Sequence, residues 1–321
     1  MEKVTVIIPT YNRAHLIAET IHSVLDQTYR NFEIIVIDDG STDNTSEIIK
    51  SLGHGNRIKY IYKEHCGIPG RMRNIGIANS AGSLIAFLDS DDSWLPHKLE
   101  AQVRYLTNHP EADVVYSDFY FYRSSANQCH NEECISTVDC QSGNIWKNLF
   151  MHCFIPTLTV ILRRKCLNSN SPFHEGTETI GTEDYDLWLR LAVANCFAFI
   201  PAKLAKYRIS PEGIGKTSVK HITNILNVIR RFDEGYPRLT GSIRIRRRRR
   251  FGSLYCMLAI QYLRENEAAL AGCFARKAFR MWPLQSKTAA LFTAGLFGSS
   301  ALRSLSRFHD RRLGDLGQDC Q

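Results

Sequence analysis

Four runs of β-branched and aliphatic residues, at 4–8, 32–37, 58–62 and 84–88, are separated by stretches with helical apolar spacing. Over 14–25, Leu16, Ile17, Ile21, Val24 and Leu25 fall on one helix face; further helices are expected at 44–52, 71–81 and 95–108. Continuously apolar strands need cover on both faces, and strands that alternate with helices give a parallel sheet with helices on either side. The expected fold class is therefore α/β. Ligands on such sheets bind beyond the carboxyl ends of the strands.

Strand-like segments follow at 114–116 and 119–122, then a polar stretch, 123–144, that reads as a loop or irregular insertion. After it come a helix near 145–151, a strand at 158–162, a helix at 185–194 and short strands at 197–200 and 205–209. Beyond residue 219 the β signal stops. Helices are expected to about residue 307, with breaks at 235–241, at Pro283 and near Gly298. The charge changes at the same place. Residues 1–219 carry 21 Lys and Arg against 25 Asp and Glu, whereas 220–321 carry 19 against 7. A mildly acidic body of 1–218 and a basic helical region of 219–321 are thus expected to do different work. No apolar run reaches the ~18–20 residues of a membrane helix, the longest being 288–302, and no signal peptide is evident, so a cytoplasmic chain is expected. The 10 cysteines are scattered without a C-x-x-C and are expected to be reduced. Cys129, His130, Cys134 and Cys140 offer zinc-ligand chemistry but lack paired spacing.

Chemistry is signalled by where the carboxylates fall. The second strand leads into Asp38-Asp39-Gly40 and the fourth into Asp89-Ser90-Asp91-Asp92, all at the ligand end of a parallel sheet. Such crowding is costly unless a cation or hydrogen-bond donors compensate. Hard oxygen donors suit Mg²⁺ or Mn²⁺, which keep waters and bridge to phosphates. For Asp38 and Asp39, turn formation is an equal alternative. A dinucleotide-binding G-x-G-x-x-G is missing from the first turn, which reads Pro9-Thr10-Tyr11-Asn12-Arg13, and a Walker loop is missing as well. Diphosphate would have to be held by a metal and cationic side chains.

Five motifs then resemble glycosyltransferase family 2. They are V-T-V-I-I-P-T-Y-N-R from Val4, I-V-I-D-D-G-S-T-D-N-T from Ile35, R-N-I-G-I-A from Arg73, F-L-D-S-D-D-S-W-L-P from Phe87 and T-E-D-Y-D-L-W-L-R-L from Thr182. The resemblance spans about residues 3–218. It implies a GT-A-like, Rossmann-type, mainly parallel sheet flanked by helices, here with an α-helical C-terminal extension, and inverting transfer from a nucleotide-diphosphate sugar. By the same resemblance Pro9, Thr10, Tyr11, Asn12, Asp39, Arg71, Arg73, Asp89 and Ser90 contact the nucleotide sugar. Asp89, Asp91 and Asp92 supply the metal-binding D-x-D, with Mn²⁺ or Mg²⁺ as cofactor. Asp184 matches the catalytic base, with Glu183 and Asp186 as neighbours. Inversion is an in-line displacement by an acceptor hydroxyl, whose proton a base must take. Thr182 opens a helix that favours acids in its first turn, so capping is the alternative for Glu183. One departure is that Ser210 stands where many relatives carry a metal-binding His. Glu212 is a substitute ligand there, and Gly213, Gly215 and Ser218 resemble a mobile loop over the donor.

The resemblance further implies a UDP-sugar donor and a saccharide or lipid-linked acceptor, as in cell-surface polysaccharide synthesis. Arg244 and residues 246–250, flanked by Ile243, Ile245 and Phe251, fit an anionic membrane surface, which makes a peripheral location the expectation. A solvated helix face is the plain alternative, and nucleic acid lacks a supporting motif. Two other functions remain open on the sequence: a nucleotide-sugar-binding regulatory module without turnover, or a tail-driven nucleic-acid or scaffold protein.

Overall fold

Strands β1 (Val4–Thr10), β2 (Phe32–Asp38), β3 (Ile58–Tyr62) and β4 (Leu84–Phe87) run parallel in the spatial order β3-β2-β1-β4. This computed structural model describes residues 1–53, 57–125, 128–132, 141–167, 172–209 and 218–283. By its contacts the chain divides into two compact units, Met1–Ile214 and Gly215–Gln321.

In the first unit, helices α1 (Ile17–Leu25) and α4 (Lys98–Asn108) cover one face of the sheet. There Val4, Val6 and Ile8 pack with Ile17, Ile21, Val24, Leu99 and Val103 in a fully apolar cluster. Helix α2 (Thr45–Ser51) follows β2, and α3 (Pro69–Ala78) begins with proline, whose missing N–H costs nothing at a helix start. Helix α3 lies so close to the sheet that a Cβ on Gly76 would sit 2.5 Å from Ile7 Cγ2 and 2.8 Å from Ile37 Cδ1. Continuous apolarity in these strands thus matches helices on both faces.

Beyond β4 the sheet changes character. It continues through β8 (Ile161–Arg163), β6 (Val114–Ser125), β9 (Phe197–Arg208) and the two-residue β5 (Ser93–Trp94), while β7 (Gln128–Glu132) pairs with β6. β8 and β5 are antiparallel to their neighbours, and β6 runs parallel to β9. Several elements differ from expectation. The two segments around 114–122 form one strand with a register shift at Ser117–Phe119, and so do those at 197–209, because a bulge breaks apolar alternation without breaking the ladder. Part of the presumed loop 123–144 is strand β7. Residues 157–159 form a 3-10 turn before β8. Helix α5 is Trp146–Met151 and α6 is Glu183–Ala194, two residues earlier than the apolar period suggests.

The second unit is helical where described: α7 (Val219–Gly235), α8 (Pro237–Ser242), α9 (Arg244–Arg264) and α10 (Ala268–Met281). Ser218 caps α7 by accepting the His221 N–H at 3.1 Å. The break between α9 and α10, absent from the sequence expectation, turns on Asn266 at φ +62°. Ala271, Ala275 and Ala278 of α10 pack on Cys256, Ala259 and Leu263 of α9, small side chains that let the two helices approach. No helix among the described residues is long and apolar enough to cross a membrane. The expected apolar stretch 288–302 and the break near Gly298 lie outside the described residues.

Candidate active site

The ends of β1, β2 and β4 bring the expected residues to one edge. Thr10 pairs in register with Asp38, and the Thr10 carbonyl accepts the Asp39 N–H. Asp38 is fully buried and takes the Ser41 N–H on Oδ1 and the Tyr60 hydroxyl on Oδ2, which makes it a turn-former. Burial, then Asp38, raises the Tyr60 phenol above its usual range. Asp39 accepts the N–H groups of Cys66 and Gly67, one on each oxygen, at 2.9 and 2.8 Å. This clamp needs Gly40, at φ +79°, because a Cβ there would meet His65 N at 2.7 Å. Tyr11 stacks on His65 at 4.1 Å between ring centroids.

Pro9 is half-buried at the end of β1. Asn12, at φ +50°, accepts the Thr42 N–H on its side-chain oxygen, so it ties the first turn to the second. The Thr10 hydroxyl is buried, and among the described residues it has no hydrogen-bond partner.

After β4 the four motif residues part company. Asp89 and Asp91 are half-buried, whereas Ser90 and Asp92 are buried. Asp92 turns inward and accepts the Arg208 backbone N–H at 2.8 Å. Burial, then Asp91 and Asp89, raises the Asp92 carboxyl well above its usual range; burial and Asp89 raise Asp91 as well. Of the three carboxylates expected as metal ligands, Asp89 and Asp91 lie half-buried at the edge while Asp92 is buried and braces the loop. Among the described residues, no three acids, histidines or cysteines gather into a ligand set of their own. Two hard oxygen donors fit a Mg²⁺ or Mn²⁺ ion whose remaining positions go to water and phosphate.

Arg73, from α3, is buried and joins two distant segments. Its Nη2 donates to Asp89 Oδ1 at 2.6 Å and its Nη1 to Glu183 Oε1 at 2.5 Å. The guanidinium also lies 5.5 Å from the centre of the Phe173 ring. Burial opposes its charge, but Asp89, Glu183 and Asp184 outweigh burial and raise its pKa. Arg71 is different: it is exposed, with Nε 4.0 Å from Glu175 Oε2. It occupies the solvated side of α3, so the neighbouring arginines are not equivalent.

Helix α6 begins with Glu183 and Asp184, where its N-terminal dipole favours acids. Thr182 does not cap with its side chain; it donates that hydroxyl to Thr179 O. The Thr182 N–H donates instead to Glu183 Oε2, and Glu183 is buried against Arg73. Asp184 is half-buried, accepts the Thr157 hydroxyl on Oδ2 at 2.6 Å and takes the Tyr185 N–H on Oδ1. Burial, then Glu183, pushes the Asp184 carboxyl up to about 6. Asp186 is occupied by Arg190 at 2.8 Å on its own helix, and Trp188 is buried beside Phe87 and Phe173.

Two residues of the frame went unnoticed in the sequence. Arg208 in β9 donates Nε to the Asp91 carbonyl and Nη2 to Glu19, and lies 4.4 Å from the centre of the Tyr122 ring. Asn74, inside R-N-I-G, donates to Phe173 O and Glu175 Oε1 and accepts the Phe173 N–H. A polar residue on the inner side of a glycine-containing helix is the signal for it. Asn74→Ala leaves buried backbone groups unpaired, and an expected cost of about 1–3 kcal/mol would show in urea unfolding. A loss below about 0.5 kcal/mol would mean that water replaces the amide.

Ser210, Glu212, Gly213 and Gly215 lie outside the described residues, as do Cys134, Cys140 and the side chains of Cys129 and His130. Of the described cysteines, Cys166 and Cys256 are buried and Cys153 is exposed.

Comparison with known proteins adds the following. The model of the family described as Glycosyl transferase family 2 matches residues 5–167. A Rickettsia conorii protein named an uncharacterized glycosyltransferase is 38% identical over 208 residues, which cover 65% of this chain and 33% of that protein. The chain thus spans about a third of the length of that relative. An Escherichia coli protein named UDP-Glc:alpha-D-GlcNAc-diphosphoundecaprenol beta-1,3-glucosyltransferase WfgD is 32% identical over 234 residues, 72% of this chain and 87% of that protein. Among solved structures, the mannosyltransferase PcManGT from Pyrobaculum calidifontis in complex with GDP-Man and Mn2+ has a TM-score of 0.56 at 15% identity, covering 99% of this chain and 88% of that one. At that identity the likeness concerns the fold, which is the α/β architecture of GT-A glycosyltransferases.

Proposed function

The chain belongs to glycosyltransferase family 2, and from that premise we propose that it is an inverting, metal-dependent glycosyltransferase. Its donor is a UDP-sugar and its acceptor a saccharide carried on a lipid, as in cell-surface polysaccharide synthesis. The UDP-sugar and the lipid-linked acceptor are supported by the name of the Escherichia coli relative. The observation that carries the reading is the Arg73 bridge. It fastens the Asp89 loop after β4 to the head of α6, so that Asp184 and the carboxylates for a diphosphate site are parts of one assembly.

In this assembly Asp184 takes the proton of the acceptor hydroxyl as that oxygen attacks the anomeric carbon. The bond from that carbon to the diphosphate breaks, and its electrons leave with the diphosphate. The Thr157 hydroxyl and the Tyr185 N–H orient the Asp184 carboxylate. Tyr11, the Asp39 clamp and the Thr10 hydroxyl face the nucleoside, while Asp89 and Asp91 would hold a divalent ion. When bound, that ion stabilises charge growing on the departing diphosphate.

Nucleotide binding tests the metal. In EDTA, UDP affinity measured by calorimetry is expected to fall more than about tenfold relative to Mn²⁺, which corresponds to about 1.4 kcal/mol. Asp91→Asn should produce a similar loss with Mn²⁺ present. Unchanged affinity in EDTA would remove the ion from the diphosphate site and leave its charge to cationic side chains such as Arg73 and Arg208.

A further inference from the structure

Six arginines open α9; the fold sorts five of them into two groups, and the sixth, Arg246, is exposed. Arg247 is half-buried and gripped by Asp233, with Nε and Nη2 each 2.6 Å from a carboxylate oxygen. Arg250 is buried. Arg244, Arg248 and Arg249 are exposed, and among the described residues no carboxylate pairs with them. Residues 244, 245, 248 and 249 recur at the helical period, so they share one face. On that face Ile245 is 71% exposed, a large aliphatic side chain set among cations.

The local electrostatics leave this charge uncompensated. α9 contains no acidic residue in its first turn, and its N-terminus already favours anions. Beside the exposed arginines lies a concavity of about 420 Å³ lined by Arg244, Arg248, Met281 and the Arg247–Asp233 pair among others; the acid there is taken up by Arg247. Guanidinium groups pair phosphate oxygens two at a time, which suits them to phosphodiester headgroups.

We propose that the first two turns of α9 form a docking surface for an anionic phospholipid membrane, with Arg244, Arg248 and Arg249 on the headgroup phosphates and Ile245 dipping between them. The aliphatic residue favours this occupant: Ile245 gains by leaving water at a lipid interface and gains nothing on a hydrated phosphodiester backbone. Among the described residues, no exposed aromatic side chain accompanies the arginines to stack on bases, as single-stranded nucleic acid would require. Contact of this kind is electrostatic at long range and screened over ~8 Å at physiological salt. The inference goes beyond the transfer reaction and does not depend on it, though it would bring the enzyme to a lipid-linked acceptor.

The test is co-sedimentation of the full chain with vesicles of phosphatidylcholine alone and of a phosphatidylcholine–phosphatidylglycerol mixture, over rising salt. Binding is expected to the mixed vesicles only and to fall as salt rises. The triple variant Arg244→Gln, Arg248→Gln, Arg249→Gln should lose about 100-fold in vesicle affinity, at roughly fivefold per arginine. Ile245→Ser should lose the part of binding that persists at high salt. All four side chains are exposed, so melting temperature and UDP binding should stay at wild-type values. Because UDP binding is read separately, failure here and failure of the transferase reading are distinguishable. Equal binding to neutral vesicles, no binding to either, an unchanged triple variant, or displacement from mixed vesicles by a short oligonucleotide would each overturn the proposal.

Discussion

Asp184→Asn should bind UDP as tightly as the wild type and transfer sugar about 10²–10⁴-fold more slowly, the range a positioned general base contributes. The amide keeps the shape of the carboxylate. Its oxygen can still take the Tyr185 N–H, and the Thr157 hydroxyl can turn to accept from the new NH₂ group. What it cannot do is accept a proton, so kcat falls while ground-state contacts remain. The pH profile supplies a second reading. With its pKa raised to about 6 by burial and by Glu183, Asp184 is protonated and idle below that pH and active above it. Wild-type activity should therefore rise with pH through about 6 and level off, and the residual activity of the Asn variant should lose that limb. Arg73 opposes the shift, and the Tyr207 phenol, itself raised by burial and by the surrounding aspartates, stays neutral through this range. Glu183→Gln removes the like charge and should move the limb to lower pH. Retention of more than half the wild-type turnover by Asp184→Asn would place the base elsewhere.

Arg73→Met should cost about 3–5 kcal/mol of stability, because removing one partner of a buried ion pair strands the other. Glu183 has a side-chain exposure of 7%, and its Oε1 faces the guanidinium. Methionine fills part of the space but offers no charge and no donor. Adding Glu183→Gln to Arg73→Met should recover much of the loss, since the stranded charge is then absent. Arg73→Lys should fall between, because one ammonium cannot reach Asp89 and Glu183 in the fork geometry of a guanidinium. Urea unfolding of the three variants decides the matter. A loss under about 1 kcal/mol for Arg73→Met would mean that Glu183 is satisfied by other donors and that the bridge is not what holds α6 to the Asp89 loop.

Much of the fold was legible because it rests on short-range periodicity. The runs at 4–8, 32–37, 58–62 and 84–88 became β1 to β4 with small changes at their ends, and the helices between them appeared where the apolar spacing placed them. The antiparallel half was less legible. Strand β5 is two residues long, β7 falls in a polar stretch, and the bulge near Asp118 splits the apolar pattern of β6 and β9. None of these leaves a periodic trace in a sequence window.

The sequence by itself determined that a parallel sheet would form and that acids would crowd its carboxyl edge, since continuous apolar strands ending in aspartates allow little else. Only the tertiary structure decided what each acid does. Asp38 is buried and held by Tyr60, Asp39 is clamped by the N–H groups of Cys66 and Gly67, and Asp92 is turned inward onto the Arg208 N–H, whereas Asp89, Asp91 and Asp184 stay half-buried. The same holds for the arginines: Arg73 is buried between Asp89 and Glu183 while Arg71, two residues away, faces solvent, and Arg247 is bound to Asp233 while Arg244, Arg248 and Arg249 remain exposed. The reason is physical. Periodicity depends on neighbours within a turn or two, whereas the partner of a charged side chain depends on which distant segment the packed sheet carries to it, and Arg73 meets Glu183 across 110 residues of chain.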